Sequence, residues 1–117
     1  MRKESNSLLS KISRATGADR SLDRRIASEL DPSTAEDPAP DYTASVDQCI
    51  GLVKRVLPGW RWRIGYGPVG IRVYAFVDNG KHRHEAMAPT VPLALLSAIL
   101  KAKHTGPRRY RVSRDRG

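Results

Sequence analysis

The sequence predicts a small α+β domain in which a three-stranded antiparallel sheet packs with helices on one or both of its faces. Two observations predict this class. Near residue 60 the apolar residues change from helical spacing to strict alternation, and Asp78-Asn79-Gly80 then gives a strong hairpin signal between two alternating stretches. The 117 residues suffice for one hydrophobic core. We therefore expect one domain with the order α-α-linker-α-β-β-β-α.

The first part of the chain, residues 1–30, contains two short amphipathic segments with apolar residues at helical spacing. The first segment ends near Gly17. The second has Asp19 or Ser21 as its N-cap and ends at Asp31-Pro32. Both are predicted to be helices that pack on the domain or are partly mobile, because short helices need a surface to pack on. Their apolar residues are Leu8, Leu9, Ile12, Leu22, Ile26 and Leu30.

Residues 31–41 contain three prolines, several acidic residues and no large apolar side chain. This composition predicts a solvated linker. After it, Ser45 and Gln48 have the spacing of a capping box, which predicts the start of a third helix. That helix is expected to end at Pro58-Gly59. Its apolar stripe consists of Val46, Ile50, Val53 and Leu57.

Three alternating stretches follow the third helix and predict three strands. In the first, Trp60, Trp62 and Ile64 alternate with arginines, so we expect the tryptophans on a buried face. The second runs from residue 71 to 77. The third, residues 81–87, is more polar, as edge strands often are.

The last helix is predicted to begin after Thr90, a candidate N-cap, with Pro92 in its first turn. The leucines, isoleucine and alanines that follow make it the most apolar helix of the chain. Gly106-Pro107 is expected to end it. The α-β-β-β-α core is therefore predicted over residues 42–104, and residues 105–117 are predicted to form a flexible, arginine-rich tail.

Several stretches of the sequence resemble the phage ABA sandwich family, which comprises small uncharacterised proteins of tailed phages and prophages. The resemblance lies in residues 21–27, in residues 42–47 running into 59–62, and in residues 94–102, and it covers roughly residues 20–103. These positions are mostly helix caps and apolar residues, so they imply a fold and carry no chemistry. The resemblance implies helices on both faces of a sheet, a phage or prophage origin, and no established activity.

The sequence departs from that family's pattern at Thr90-Val91-Pro92, where one extra residue separates Thr from Pro, and in its arginine-rich tail. The same order of elements also resembles a double-stranded-RNA-binding domain, in which basic residues at the start of the last helix contact phosphates. Here that helix begins without Lys or Arg, and Lys101 and Lys103 come at its other end. This second analogy is therefore weak.

Charge and composition favour a binding protein. The net charge is +9, and the basic excess lies in residues 50–103 and in the tail, whereas residues 31–49 hold five acids and no Lys or Arg. Such a balance favours polyanionic partners, namely DNA, RNA or an acidic protein surface. With no signal peptide visible and no apolar run long enough to span a bilayer, we expect a cytoplasmic protein without membrane contact and of unknown oligomeric state. The resemblance to a phage family implies that this cytoplasm is that of a bacterial host cell.

The sheet side opposite the tryptophans is the first candidate nucleic-acid surface. Arg61, Arg63, Arg72, Tyr74 and Phe76 share it by alternation, and arginines among aromatic rings can bind phosphates and stack on bases. The alternative is that the N-terminal helices cover this face while the arginine stems reach outward. Since the family resemblance implies two helical layers, we expect the face to be covered. The tail is the second candidate surface, through Arg108, Arg109, Tyr110, Arg111, Arg114 and Arg116. The alternative for the tail is a disordered end that only increases solubility.

No catalytic constellation is found, so an enzyme is not expected, and neither a cofactor nor a metal is expected. His82 and His84 are spaced as a ligand pair, but a metal needs three or four ligands, so we interpret both as exposed histidines of an edge strand. Cys49 lies among apolar residues of the third helix and is expected to be a buried structural thiol. The alternative to nucleic-acid binding is a protein–protein interaction module of phage origin, for example an inhibitor of a host or defence protein.

Overall fold

The computed structural model describes the backbone of residues 2–32, 39–67 and 72–116 and the side chains of residues 8–32, 39–67 and 72–104. Within these residues the chain forms four helices and one three-stranded sheet, so the predicted α+β class and order of elements are confirmed. The elements are α1 (Arg2–Arg14), α2 (Arg20–Leu30), α3 (Val46–Val56), β1 (Arg61–Tyr66), β2 (Val73–Asp78), β3 (Arg83–Ala88) and α4 (Val91–Arg116).

The helices begin where the sequence predicts. Asp19, Ser45 and Thr90 are the N-caps of α2, α3 and α4, and their side-chain oxygens accept backbone N–H bonds at 2.9–3.3 Å. The capping box of α3 is only half formed, because the N–H of Ser45 donates to the carbonyl of Tyr42 at 3.4 Å. Gly59 has φ of 86° just after α3, a conformation that glycine adopts without steric cost.

The sheet is antiparallel with the order β1-β2-β3, so β1 and β3 are its edges. Val73, Ala75 and Val77 of β2 are buried on one face, together with Ala86 and Ala88 of β3. Helix α4 packs on this face, against β2 and β3. The alternation read from the sequence thus correctly assigns the buried face of β2.

Helix α4 is the centre of the core. Its eight consecutive residues 93–100 are all buried, as is typical of a helix that is apolar all round. One side of it packs on the sheet, while α1 and α3 pack on other sides of it. The layers therefore run from the sheet through α4 to the other helices.

The expectation that the N-terminal helices cover the arginine-bearing side of the sheet is wrong. Leu8 and Ile12 of α1 are buried in the same core as α4, and α1 packs on α4 and α2. The physical reason is that α4 offers a second apolar surface, on the side away from the sheet, which the apolar stripe of α1 covers. In the described part of the chain, helix–sheet packing comes chiefly from α4 on a single face.

The expectation that the tryptophans are buried is only partly met. Trp60 and Ile64 are half-buried, and Trp62 remains 36% exposed. The reason is the width of the covering layer, because α4 packs chiefly on β2 and β3 and leaves the β1 edge of the sheet less covered.

The predicted helix end at Gly106-Pro107 is also wrong, because the backbone of α4 continues to Arg116. A glycine and a proline disfavour a helix by about 1 and 3 kcal/mol, which lowers its stability without forbidding it. The side chains of the tail arginines lie outside the described residues.

The linker predicted over residues 31–41 is attached to the core at both ends. Asp31 is buried and pairs with Arg55 of α3. Ala39 is buried, and its carbonyl accepts from Arg20 at 2.8 Å. The two ends of the predicted linker are therefore not fully solvated, and the prediction for residues 33–38 lies outside the described part of the chain. Among the helices that the structure describes, none has the length and apolar character needed to span a bilayer.

Candidate nucleic-acid interface

The side of the sheet that no described helix covers carries the candidate site, here called the arginine face. The register sets its side chains in three cross-strand rows. Beyond the end of the third row, Arg72 precedes β2 and is exposed. The rows are Arg61–Asp78–Arg83, Arg63–Phe76–Glu85 and Gly65–Tyr74–Met87.

Two arginines of the first row contact neighbouring side chains of the face, one through an ion pair and one through a cation–π contact. Arg61 pairs with Asp78 across the strands at 3.3 Å. The guanidinium carbon of Arg83 lies 3.8 Å from the centroid of the Phe76 ring, which is a cation–π contact. Arg83 thus presents a flat cation above an aromatic ring.

Arg63 and Arg72 are the arginines most available to a ligand. Both are exposed, and neither forms an ion pair with a residue of the described ranges. Arg63 lies directly opposite Phe76 in the register. Arg63 could therefore bind a phosphate without first breaking an ion pair with a described carboxylate.

The Tyr74 side chain of β2 extends over the neighbouring strand β1 at Gly65. A Cβ built on Gly65, its partner in β1, would come within 2.5 Å of the Tyr74 ring. The ring therefore packs on the backbone of Gly65, where no side chain is in its way, and stays half-buried. This contact fixes an aromatic ring in the row next to Arg63.

Of the arginines and aromatic residues on this face, the sequence predicted all but one. Arg61, Arg63, Arg72, Tyr74 and Phe76 do share one side of the sheet, as expected. Arg83 was not predicted to join them. The signal was available in the hairpin turn, because the residues flanking Asn79 and Gly80 fix the register that places Arg83 opposite Asp78.

The opposite face of β3 holds a half-buried histidine, which corrects the expectation that both histidines are exposed. The His84 ring stacks on Trp60 with centroids 6.2 Å apart. Burial lowers the pKa of His84, with the charges of His82 and Lys101 adding to the effect, so its ring is neutral at neutral pH. In the described ranges no group of three or more ligating side chains could hold a metal.

Cys49 is the buried structural thiol that the sequence predicts. It is inaccessible, and its Sγ lies 3.1 Å from the Tyr42 carbonyl. Desolvation raises the pKa of Cys49 to about 12, helped by the charges of Asp23 and Asp41. The thiolate needed for nucleophilic attack is therefore not formed at neutral pH.

A second basic surface lies between α1 and α2. It is an open depression of about 400 Å³. Arg25 there is held by Glu29 at 2.7 Å, so Lys11 and Arg24 are the remaining cations among its described lining residues. None of these described residues is aromatic, which distinguishes the depression from the arginine face. Its lining consists of Lys11, Ser21, Leu22, Arg24, Arg25 and Ser28.

Comparison of the chain with protein-family models, with curated proteins and with solved structures gave no match. The class of protein is therefore defined by the fold and the candidate site, as a small basic α+β domain whose arginine- and aromatic-bearing sheet face is not covered by any described helix.

Proposed function

We propose that this chain is a small accessory binding protein that contacts nucleic acid through the arginine face, and that single strands are its preferred form. The observation that carries the proposal is the absence of a helix layer over this side of the sheet in the described structure. Arginines and aromatic rings lie side by side there and are accessible. Phage or prophage origin is part of the proposal and rests on the sequence resemblance alone.

The chemistry of the face suits a single strand. A guanidinium binds phosphate oxygens through paired N–H donors. Arg63 and Arg72 are exposed and form no ion pair with a carboxylate of the described residues. Unstacked bases pack on aromatic rings and on guanidinium planes, such as the Arg83–Phe76 pair. A duplex keeps its bases stacked inside, so it could use only the phosphate contacts of the arginine face.

The acidic residues of the face limit its affinity. Four arginines, including Arg72, are accompanied by Asp78 and Glu85. Binding should therefore be moderate and should depend on additional cations. The tail supplies them in the proposal, since residues 108–116 contain five arginines and one aspartate.

The double substitution Arg63→Ala with Arg72→Ala should weaken binding of a labelled single-stranded oligonucleotide and reduce its salt dependence. Each phosphate contact on a single strand contributes about 0.7 to the slope of log affinity against log salt. We therefore expect the slope to fall by about 1.4. The measurement is a fluorescence-anisotropy titration of DNA and RNA, single- and double-stranded, at several salt concentrations.

The matched control is Arg14→Ala with Arg24→Ala, which removes the same charge from exposed positions on α1 and α2. A chain ending at Lys103 measures the contribution of the tail separately. If the control weakens binding as much as the arginine-face variant does, binding reflects net charge alone. If the intact protein does not bind at low salt, the proposal is wrong, and the search moves to protein partners.

A further inference from the structure

The β1 edge of the sheet carries apolar side chains that the described core does not cover. Tyr66 is 68% exposed and Trp62 is 36% exposed. They lie on the same side of β1 as Ile64, which is half-buried. In the described part of the chain β1 pairs only with β2, so its other side offers an unpaired backbone next to an apolar row.

The hydrogen-bond pattern tells which backbone groups face that edge. In an antiparallel pair, opposed residues alternate between those that exchange hydrogen bonds and those that do not. The N–H of Gly67 donates to the carbonyl of Arg72 at 3.0 Å. By alternation along the register, the odd-numbered residues of β1 bond to β2. The N–H and C=O groups of Trp62, Ile64 and Tyr66 therefore point outward, away from β2.

We propose that a second copy of this chain pairs with β1 in antiparallel orientation, with Ile64 directly opposite the partner's Ile64. In this register Trp62 faces the partner's Tyr66, and the outward backbone groups of all three apolar residues find partners. The two copies are related by a two-fold axis, which makes the interface isologous. The product is a continuous six-stranded sheet.

This register is favoured over its neighbours by charge and by length. It places Arg63 opposite the partner's Gly65, so no two arginines face each other. A register centred on Arg63 would instead oppose two like charges, which is destabilising. One centred on Gly65 would leave Trp62 beyond the end of the partner's strand. Only the register centred on Ile64 pairs all three outward-facing residues.

The partner at this edge is a second copy of the chain, because β1 is complementary to another β1 in antiparallel orientation. The same six residues supply the apolar row, the outward hydrogen-bonding groups and the glycine that faces the partner's Arg63. Pairing would also join the two arginine faces on one side of the six-stranded sheet. The inference itself does not rest on nucleic-acid binding, and its test contains no nucleic acid.

The first test is the solution mass of the intact chain by light scattering across a concentration series. The expected mass at high concentration is twice that of the 13.0 kDa chain. Tyr66→Lys places a charge opposite the partner's Trp62 and should weaken dimerisation by about tenfold or more. Met87→Lys is the matched control, because Met87 is 52% exposed on the other edge strand, and it should leave the dimer unchanged.

The second test places a cysteine at the proposed axis. Opposed residues of a bonded pair have Cα atoms about 5.5 Å apart, which lies within disulfide range. Ile64→Cys should therefore give a covalent dimer on mild oxidation, while Met87→Cys should not. The native Cys49 is buried and does not interfere. A wild-type chain that stays monomeric at its highest soluble concentration would overturn the proposal, as would a dimer that tolerates Tyr66→Lys and does not cross-link at position 64.

Discussion

Replacing Asp23 by alanine should lower the free energy of unfolding by about 3–5 kcal/mol. This carboxylate is 1% exposed in helix α2. One of its oxygens accepts from both the N–H and the hydroxyl of Thr43, each at 2.7 Å. The other accepts from Arg20 at 2.8 Å. Alanine would remove all three hydrogen bonds and leave the buried N–H of Thr43 without its acceptor.

The reason for so large an effect is the position of this network between separate parts of the chain. The Thr43 hydroxyl also accepts from the N–H of Asp19 at 2.8 Å, and Arg20 donates to the carbonyl of Ala39. The start of α2 is thereby attached to the segment that precedes α3. Loss of these hydrogen bonds should therefore weaken the packing of both N-terminal helices on the rest of the domain.

The measurement is equilibrium unfolding in denaturant, read as a midpoint shift at constant slope. Asp41→Ala is the control, because Asp41 is exposed and should cost less than about 0.5 kcal/mol. Thr43→Val keeps the shape but removes the hydroxyl, and should cost about 1–3 kcal/mol. A small effect of Asp23→Ala would contradict the network as described.

Truncating either Leu95 or Leu100 to alanine should destabilise the protein by about 2–5 kcal/mol. Five residues along a helix place these side chains about 140° apart, on nearly opposite sides of α4. Both are buried to 1% exposure or less. A helix packed on one side only would lose stability at one of the two positions, whereas a central helix loses it at both.

The control for these variants is Lys103→Ala, an exposed position on the same helix that should be nearly neutral. The stability of all three variants is measured from the midpoint of equilibrium unfolding in denaturant. If one of the leucine variants were as stable as the control, the central position of α4 between the sheet and the other helices would be contradicted.

Local features of the fold could be predicted from the sequence because they depend on neighbouring residues. The caps Asp19, Ser45 and Thr90 were recognisable from side-chain type and spacing. The strands were recognisable from alternation. The layer arrangement was not, because it depends on what each apolar surface meets. The unbroken apolar run of residues 93–100 was the available signal that α4 is covered on all sides.

For the candidate site too, the residues that share a face could be predicted from the sequence, but the exposure of that face could not. Alternation placed Arg63 and Tyr74 on one face, but whether that face is open depended on where α1 packs. The exposure of Trp62 depended on how far α4 extends across the sheet. Neither property follows from spacing along the chain, since both are set by contacts between residues distant in sequence.

The central claim is that the arginine face contacts nucleic acid. Its most direct test is the change in amide chemical shifts when a single-stranded oligonucleotide is titrated into isotope-labelled protein. We expect saturable changes in β1 and β2, centred on Arg63, Arg72 and Tyr74. Changes confined to the depression between α1 and α2, around Lys11 and Arg24, would contradict it, as would the absence of any saturable change at low salt.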